Sequence, residues 1–220
     1  MRSAVVLAFV LCGVQNALGD NPSAPIASPP GSFGSLASVR GYLSPALASA
    51  GKAGRIYYEA ACPPSEYSHL ALPQIEVRPP LANATGLAAV RSIFGDAKDV
   101  LVVEDSLGIV RVRIGKFPDA ILRTRISTLR LKPMEQYDTF LAILALQNAP
   151  EVRSAMKELH VVVPAIPFIM PAVMPAEGLP HIPPELKNVT MDQALDIVAK
   201  TWGNIVAYGA CTEPGTYEIS

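Results

Sequence analysis

Residues 185–220 read ELKNVTMDQALDIVAKTWGNIVAYGACTEPGTYEIS. The stretch parses into strand, helix, strand, turn and strand. Thr190-Met191-Asp192-Gln193 is a capping box: the Thr190 hydroxyl accepts from the amide at 193, and the Gln193 side chain reaches back to the amide of Thr190. Met191, Ala194, Leu195, Val198 and Trp202 recur at helical spacing, and Asp192, Gln193, Asp196 and Lys200 occupy the other side. Gly203 supplies a permissive C-terminal cap. Residues 205–208 form a short β-prone run, and Glu213-Pro214-Gly215 is a turn signal. Tyr217 and Ile219 then alternate with Glu218 and Ser220, as a half-buried strand requires. Leu186 and Val189 mark a first short strand entering the cap.

Upstream the same order returns. A strand candidate at 75–77 precedes a helical face of Leu87, Val90, Ile93 and Phe94, capped by Asn83 or Thr85. A strand at 100–104, a turn at 105–108 and a strand at 109–114 follow, and Phe94-Gly95 falls where Trp202-Gly203 falls. The repetition reads either as a duplicated βαββ element or as two common arrangements that merely look alike. Residues 118–122 predict a short helix and 128–132 a strand. Pro133 opens a strongly apolar helix over 134–147, and Pro150 opens another with Val152, Ala155, Met156 and Leu159 on one face. The long βαβ rhythm of a nucleotide-binding sheet is missing. The expected class is α+β: two small mixed units, 56–163 and 185–220, each containing a βαββ element.

A Pro-rich strap, 164–184, joins them. Pro recurs too often there for a helix or a central strand to persist, so an extended connector is expected. Its apolar side chains, Phe168, Met170 and Met174 among them, serve either to pack the strap on the folded domain or as a docking strip for a partner. Residues 20–55 are rich in Ser, Ala, Pro and Gly without a sustained apolar period. They predict a largely disordered leader with a short helix at 44–50.

The carboxy-terminal unit resembles the short N-terminal domain shared by bacterial secretins and TonB-dependent receptors. The matching text is Leu186-Lys187-Asn188-Val189-Thr190, then Ala194-Leu195-Asp196-Ile197-Val198-Ala199, then Gly203 and Ile205-Val206. The resemblance implies a small periplasmic interaction module in contact with secretion, uptake or signalling machinery. Neither a barrel nor a pore-forming domain follows within these residues, so the expectation is the module and not a whole secretin or receptor.

The amino terminus sets the expected compartment. Met1-Arg2 is a short positive start, residues 4–12 are an unbroken apolar run, and Ala17-Leu18-Gly19 is a cleavage site. Residues 1–19 therefore read as a signal peptide, and the mature chain as periplasmic or secreted. Cys12 follows Leu11, where a lipoprotein signal needs a small residue. Two cysteines then remain, Cys62 and Cys211, and in an oxidising compartment they most simply form one bridge. In the chain-entropy account so long a loop contributes about 4–5 kcal/mol. Half of the residues are apolar, and 18 basic side chains nearly balance 19 acidic ones. That balance argues against nucleic acid as a default partner.

Motifs that carry chemistry are missing: there is no G-x-S-x-G, H-E-x-x-H, G-x-x-x-x-G-K or G-x-G-x-x-G. The three histidines, His69, His160 and His181, stand apart from one another. No cofactor and no metal site is expected. A basic face is the better lead. Arg111 and Arg113 oppose Val110, Val112 and Ile114, while Arg130 and Lys132 oppose Leu129 and Leu131. If the two strands share a sheet, these four cations form one surface for an anionic partner; otherwise they are solvated faces balanced by local acids. Asn83-Ala84-Thr85 and Asn188-Val189-Thr190 match glycosylation acceptors and are better read as helix caps.

The main functional reading is a non-catalytic envelope module that binds another protein by strand addition or through the basic face. One alternative is a periplasmic hydrolase using Glu104, Asp105 or a histidine in a cleft. Another is a ligand- or metal-binding protein that brings His160, His181 and a Met sulfur together.

Overall fold

The computed structural model describes residues 35–60, 70, 72, 73, 75–117, 119–161, 175–211 and 216–219. The expected signal peptide, Cys62, His69, Phe168, Met170 and Met174 lie outside the described residues. The elements in chain order are α1 (Leu36–Ser49), β1 (Gly54–Glu59), α2 (Gly86–Phe94), β2 (Val100–Glu104), β3 (Val110–Ile114), α3 (Ala120–Arg123), β4 (Arg125–Arg130), α4 (Pro133–Tyr137), α5 (Thr139–Gln147), α6 (Pro150–Glu158), β5 (Glu185–Thr190), α7 (Met191–Trp202), β6 (Ile205–Cys211) and β7 (Thr216–Ile219). The class is α+β, as the mixture of periods implies.

A five-stranded sheet in the order β2-β3-β1-β6-β7 organises the chain, and β4 pairs with β5 in a second, two-stranded sheet. Central β1 runs parallel to both β3 and β6, and β2 and β7 close the flanks as antiparallel neighbours. Strands from both expected units thus share one sheet. The upstream repeat is also incomplete: residues 75–77 make only an isolated bridge at Glu76 instead of a strand, although Ile75 and Val77 are buried.

Each face of the sheet has its own core. Ile56, Tyr58, Val112 and Ala207 meet Val39 and Leu43 of α1 and Val90 and Ile93 of α2. Tyr57, Val206, Tyr208 and Ala210 meet Leu195, Val198 and Ala199 of α7, with Leu146 of α5 and Val152 of α6 behind them. Ile126 of β4 and Leu186 of β5 join this second core. Because β1 is covered on both faces, its first five residues are all buried, the pattern of a central parallel strand.

The disordered leader expected over 20–55 is corrected for its described part, 35–55; residues 20–34 lie outside the described residues. Helix α1 covers Leu36–Ser49 and is twice as long as the helix expected at 44–50. Ser35 caps it by accepting from the Ser38 amide at 3.1 Å. Val39, Leu43, Ala46 and Leu47 form its buried stripe. Ala, Ser and Gly dilute the apolar period, and Pro45 interrupts the hydrogen bonding, so little in the local sequence favours the helix. Tertiary burial does: each large apolar side chain taken from water contributes about 1.5–3 kcal/mol.

The single helix expected over 134–147 is two helices. Asp138 adopts φ −126° and ψ 121°, and its carboxylate accepts from the Leu141 amide, so it caps α5 instead of continuing α4. A side chain that bonds its own downstream amide competes with the helix ladder and wins here. The end of the Pro-rich connector is docked on the fold: Ile182 is fully buried, and its amide donates to the Gln136 carbonyl at 2.9 Å.

The carboxy-terminal unit follows its local code closely. Thr190 and Gln193 form both arms of the capping box, and Gly203 takes φ 62° at the C-cap. Asn188 sits at φ 56°, which asparagine tolerates, and its side chain accepts from Arg125 at 2.6 Å. Replacing Thr190 by Ala is expected to lower stability by about 1 kcal/mol, whereas Ser keeps most of the cap. Urea denaturation of the two variants is the check; equal midpoints for both would remove the cap from the account.

Candidate functional site

Strand alternation places Arg55 and Tyr57 on the α7 face of β1, and parallel register sets Arg55 beside Arg111 and Tyr57 beside Arg113. Asp192 and Asp196, one helical turn apart, look back at them from α7. Arg55 Nη1 donates to Asp196 Oδ1 at 2.6 Å, and its Nη2 donates to Asp192 Oδ1 at 3.0 Å. Arg111 Nη2 reaches Asp196 Oδ2 at 2.6 Å, and its Nε reaches Asp105 Oδ2 at 2.8 Å. The Tyr57 hydroxyl donates to Asp192 Oδ1 at 2.9 Å and accepts from Arg111 Nη1. The Arg55 guanidinium also lies 4.9 Å from the centre of the Tyr57 ring.

The cluster is closed at one end and open at the other, where the Asp192 side chain is one third exposed. Arg55 is completely buried and Asp196 nearly so. The Arg55 Nε has no hydrogen-bond partner among the described residues. Burial pushes the Asp196 carboxyl up, against the pull of Arg55 and Arg111. Burial likewise raises the Tyr57 phenol, opposed by Arg55. A hydrogen-bonded ion network of this kind fixes how a helix sits on a sheet.

Asp105 joins the network from the β2–β3 turn, where its Oδ1 accepts from the amides of Leu107 and Ile109. Partial burial alone would raise its carboxyl, but those amides and Arg111 outweigh it and hold the group below the ordinary range. A carboxylate lowered in the folded state binds fewer protons than in the unfolded chain. Its stabilisation is therefore present above the unfolded value of about 3.9 and is lost as pH falls through the native value. Asp105→Asn removes this component, so the variant should lose less stability than the wild type between pH 5 and pH 3. Urea midpoints across that range test the sign; a steeper acid loss in the variant would reverse it.

The four expected cations do not share a surface. Arg111 and Arg113 belong to the five-stranded sheet, and Arg130 and Lys132 lie in or beside the two-stranded one. Arg111 is committed to three aspartates, Arg130 pairs with Glu185 and Lys132 with Glu135. Identical alternation in two strands does not put them in one sheet, because partner choice depends on what covers each face. Arg113 alone of the four stands exposed without a carboxylate partner among the described residues. It rims a cleft of about 410 Å3 whose lining includes Phe117 and the buried Tyr57 beneath it, their rings stacked at 5.4 Å.

Glu104 pairs with Lys52, and Asp105 holds the turn. His181 stacks on Tyr137 at 5.0 Å, and His160 follows the C-cap of α6 at φ 52°. Among the described residues, no three His, Cys, Asp or Glu side chains gather as a metal site, and no helix is long and apolar enough to cross a membrane.

Asp192 and Asp196, read as lying opposite the apolar face of α7, are drawn into the fold: Asp196 is buried and Asp192 bridges two arginines. The signal in the sequence was the i,i+4 spacing of two acids together with arginines in two strands, but only their pairing reveals the cluster. No family model, no curated protein and no solved structure matches this chain.

Proposed function

We propose that this chain is a non-catalytic, exported module of the bacterial cell envelope that binds another protein by strand addition, in the service of secretion, uptake or signalling machinery. One observation carries the reading: β2 is an edge strand with unused backbone groups. Asp105 N bonds Ile109 O and Gly115 N bonds Asp99 O, so the bonded pairs of the ladder fall on the odd residues of β2. The backbone groups of Val100, Val102 and Glu104 therefore point away from β3. The Val100 amide turns to the Ala97 carbonyl, and Arg91 leans on the Val102 carbonyl at 3.4 Å. The amide of Val102 and both groups of Glu104 have no partner among the described residues, and Leu101 and Leu107 stand exposed beside them. Such a row is a template for an incoming strand.

The test is site-specific photocrosslinking in cells, with the probe at Leu101 or Leu107 and a control probe at Arg153 on α6. A discrete protein adduct is expected at the first two positions only. Glu104→Pro, which deletes an outward amide, should weaken the adduct about tenfold while the thermal melt stays cooperative. Adducts of equal strength at all three positions, or none at β2, would end the reading.

Export and the Cys62–Cys211 bridge belong to the same proposal. Cys211 is buried at the end of β6. The Ala60 amide bonds the Ala210 carbonyl at 2.9 Å, which leaves two residues to reach Cys62. Two residues span about 7 Å at most, and disulfides accept Cα separations of about 4.4–6.8 Å. The unreduced protein purified from the envelope should resist thiol alkylation at both positions. Alkylation of both without reductant would remove the bridge.

A further inference from the structure

The geometry points to a second binding site, independent of strand addition: the cleft at the carboxyl end of β3 takes a carboxylate carried on an apolar or aromatic body. Its lining brings three cations, Arg113, Lys116 and Arg123, together with two carboxylates, Asp119 and Asp192. The carboxylates are spoken for. Asp119 pairs with Arg123 at 2.7 Å, and Asp192 is held by Arg55, Arg111 and the Tyr57 hydroxyl. Arg113 and Lys116 are exposed and have no ion-pair partner among the described residues. Two uncommitted cations therefore look into a space of about 410 Å3 beside committed anions.

The floor sets the rest of the ligand. The Tyr57 ring stacks on Phe117, Arg113 lies 5.8 Å from the centre of the same tyrosine ring, and buried Leu122 adds apolar wall. A guanidinium fixed over an aromatic face presents its donors in a plane that suits a carboxylate. Tyr57 is buried beneath Phe117, and the half-buried Phe117 ring is the aromatic surface that rewards an apolar body attached to that carboxylate. The two aspartates repel a dense polyanion, so a phosphate cluster or an acidic polymer fits less well than one singly charged acid. The carboxylate has two conceivable sources with the same chemistry: a peptide terminus ending in an apolar residue, or a free aromatic acid.

Amide NMR of the labelled full chain separates these sources. The probes are N-acetyl-phenylalanine, its neutral amide, inorganic phosphate, and a hexapeptide ending in free phenylalanine. The acid is expected to shift the Lys116 and Phe117 amides and the Arg113 Nε–H, and the neutral amide is not. Arg113→Ala with Lys116→Ala, both surface changes, should weaken the acid by about tenfold or more with the rest of the spectrum intact. A hexapeptide that binds tighter than the amino acid identifies a peptide terminus, and equal binding identifies a small acid; either outcome supports the site. Binding of the neutral amide or of phosphate as strong as that of the acid overturns it. So does unchanged affinity in the double variant, or no shift with any probe. The crosslinking readout at Leu107 does not depend on these results, so either proposal can fail alone.

Discussion

Replacing Asp196 by Ala should destabilise the protein by about 3–5 kcal/mol, the usual effect of removing one partner from a buried ion pair. For a chain of this size the melting temperature should fall by about 10 °C. The reason lies in Arg55. Its side chain is fully buried between β1 and α7, and the Asp196 carboxylate at 2.6 Å is its shortest bond. Without that carboxylate the guanidinium retains Asp192 but cannot reach water. Arg111 suffers less, because Asp105 and Asp192 still hold it. The double change Arg55→Met with Asp196→Leu removes both charges and the cost of desolvating them. It should recover much of the loss, giving a strongly non-additive cycle. Urea denaturation of Asp196→Ala, and of Arg55→Met, Asp196→Leu and their combination as the cycle, measures this. A single-variant effect below about 1 kcal/mol would mean that α7 docks by apolar contact alone and the network is passive.

Gly209→Ala should cost about 3 kcal/mol, at the upper end of ordinary overpacking. Gly209 lies opposite Tyr58 in the parallel register of β1 and β6. The phenol end of buried Tyr58 lies directly over it, so an added methyl would overlap Tyr58 Cζ and its hydroxyl. Neither strand can shift, because β1 and β6 are the interior of the sheet. Gly41 is the control. It sits inside α1, and a methyl there meets nothing within 4 Å. Gly41→Ala should therefore stabilise, by up to about 1 kcal/mol. The two variants compared by thermal melt test the contrast. Equal effects would mean that the close approach of Tyr58 to β6 does not exist.

The binding proposals rest on what these two variants probe. The network holds α7 against β1 and β3, and that placement builds the cleft below Arg113. The sheet order exposes β2, and that order depends on β1 and β6 meeting closely at Gly209.

The carboxy-terminal helix and its flanking strands were readable from the chain alone. Their determinants are local: the Thr190–Gln193 box, the left-handed Gly203 and two different apolar periods act within a few residues of each other. Strands β2 and β3 were readable for the same reason. Helix α1 was not, because its stripe of Val39, Leu43, Ala46 and Leu47 is set among small residues and Pro45, and only burial against the sheet stabilises it. The break at Asp138 turned on which amide its carboxylate would choose. Sheet membership was beyond local reading too. Arg111 and Arg130 lie in similar alternating runs, yet one is enclosed by three aspartates and the other points to solvent. The burial of Asp196 needed residues from three separate segments, Arg55, Arg111 and Asp196, to converge. A charge is indifferent to sequence distance and responds to what surrounds it in space, so its partner was decided only when the chain had folded.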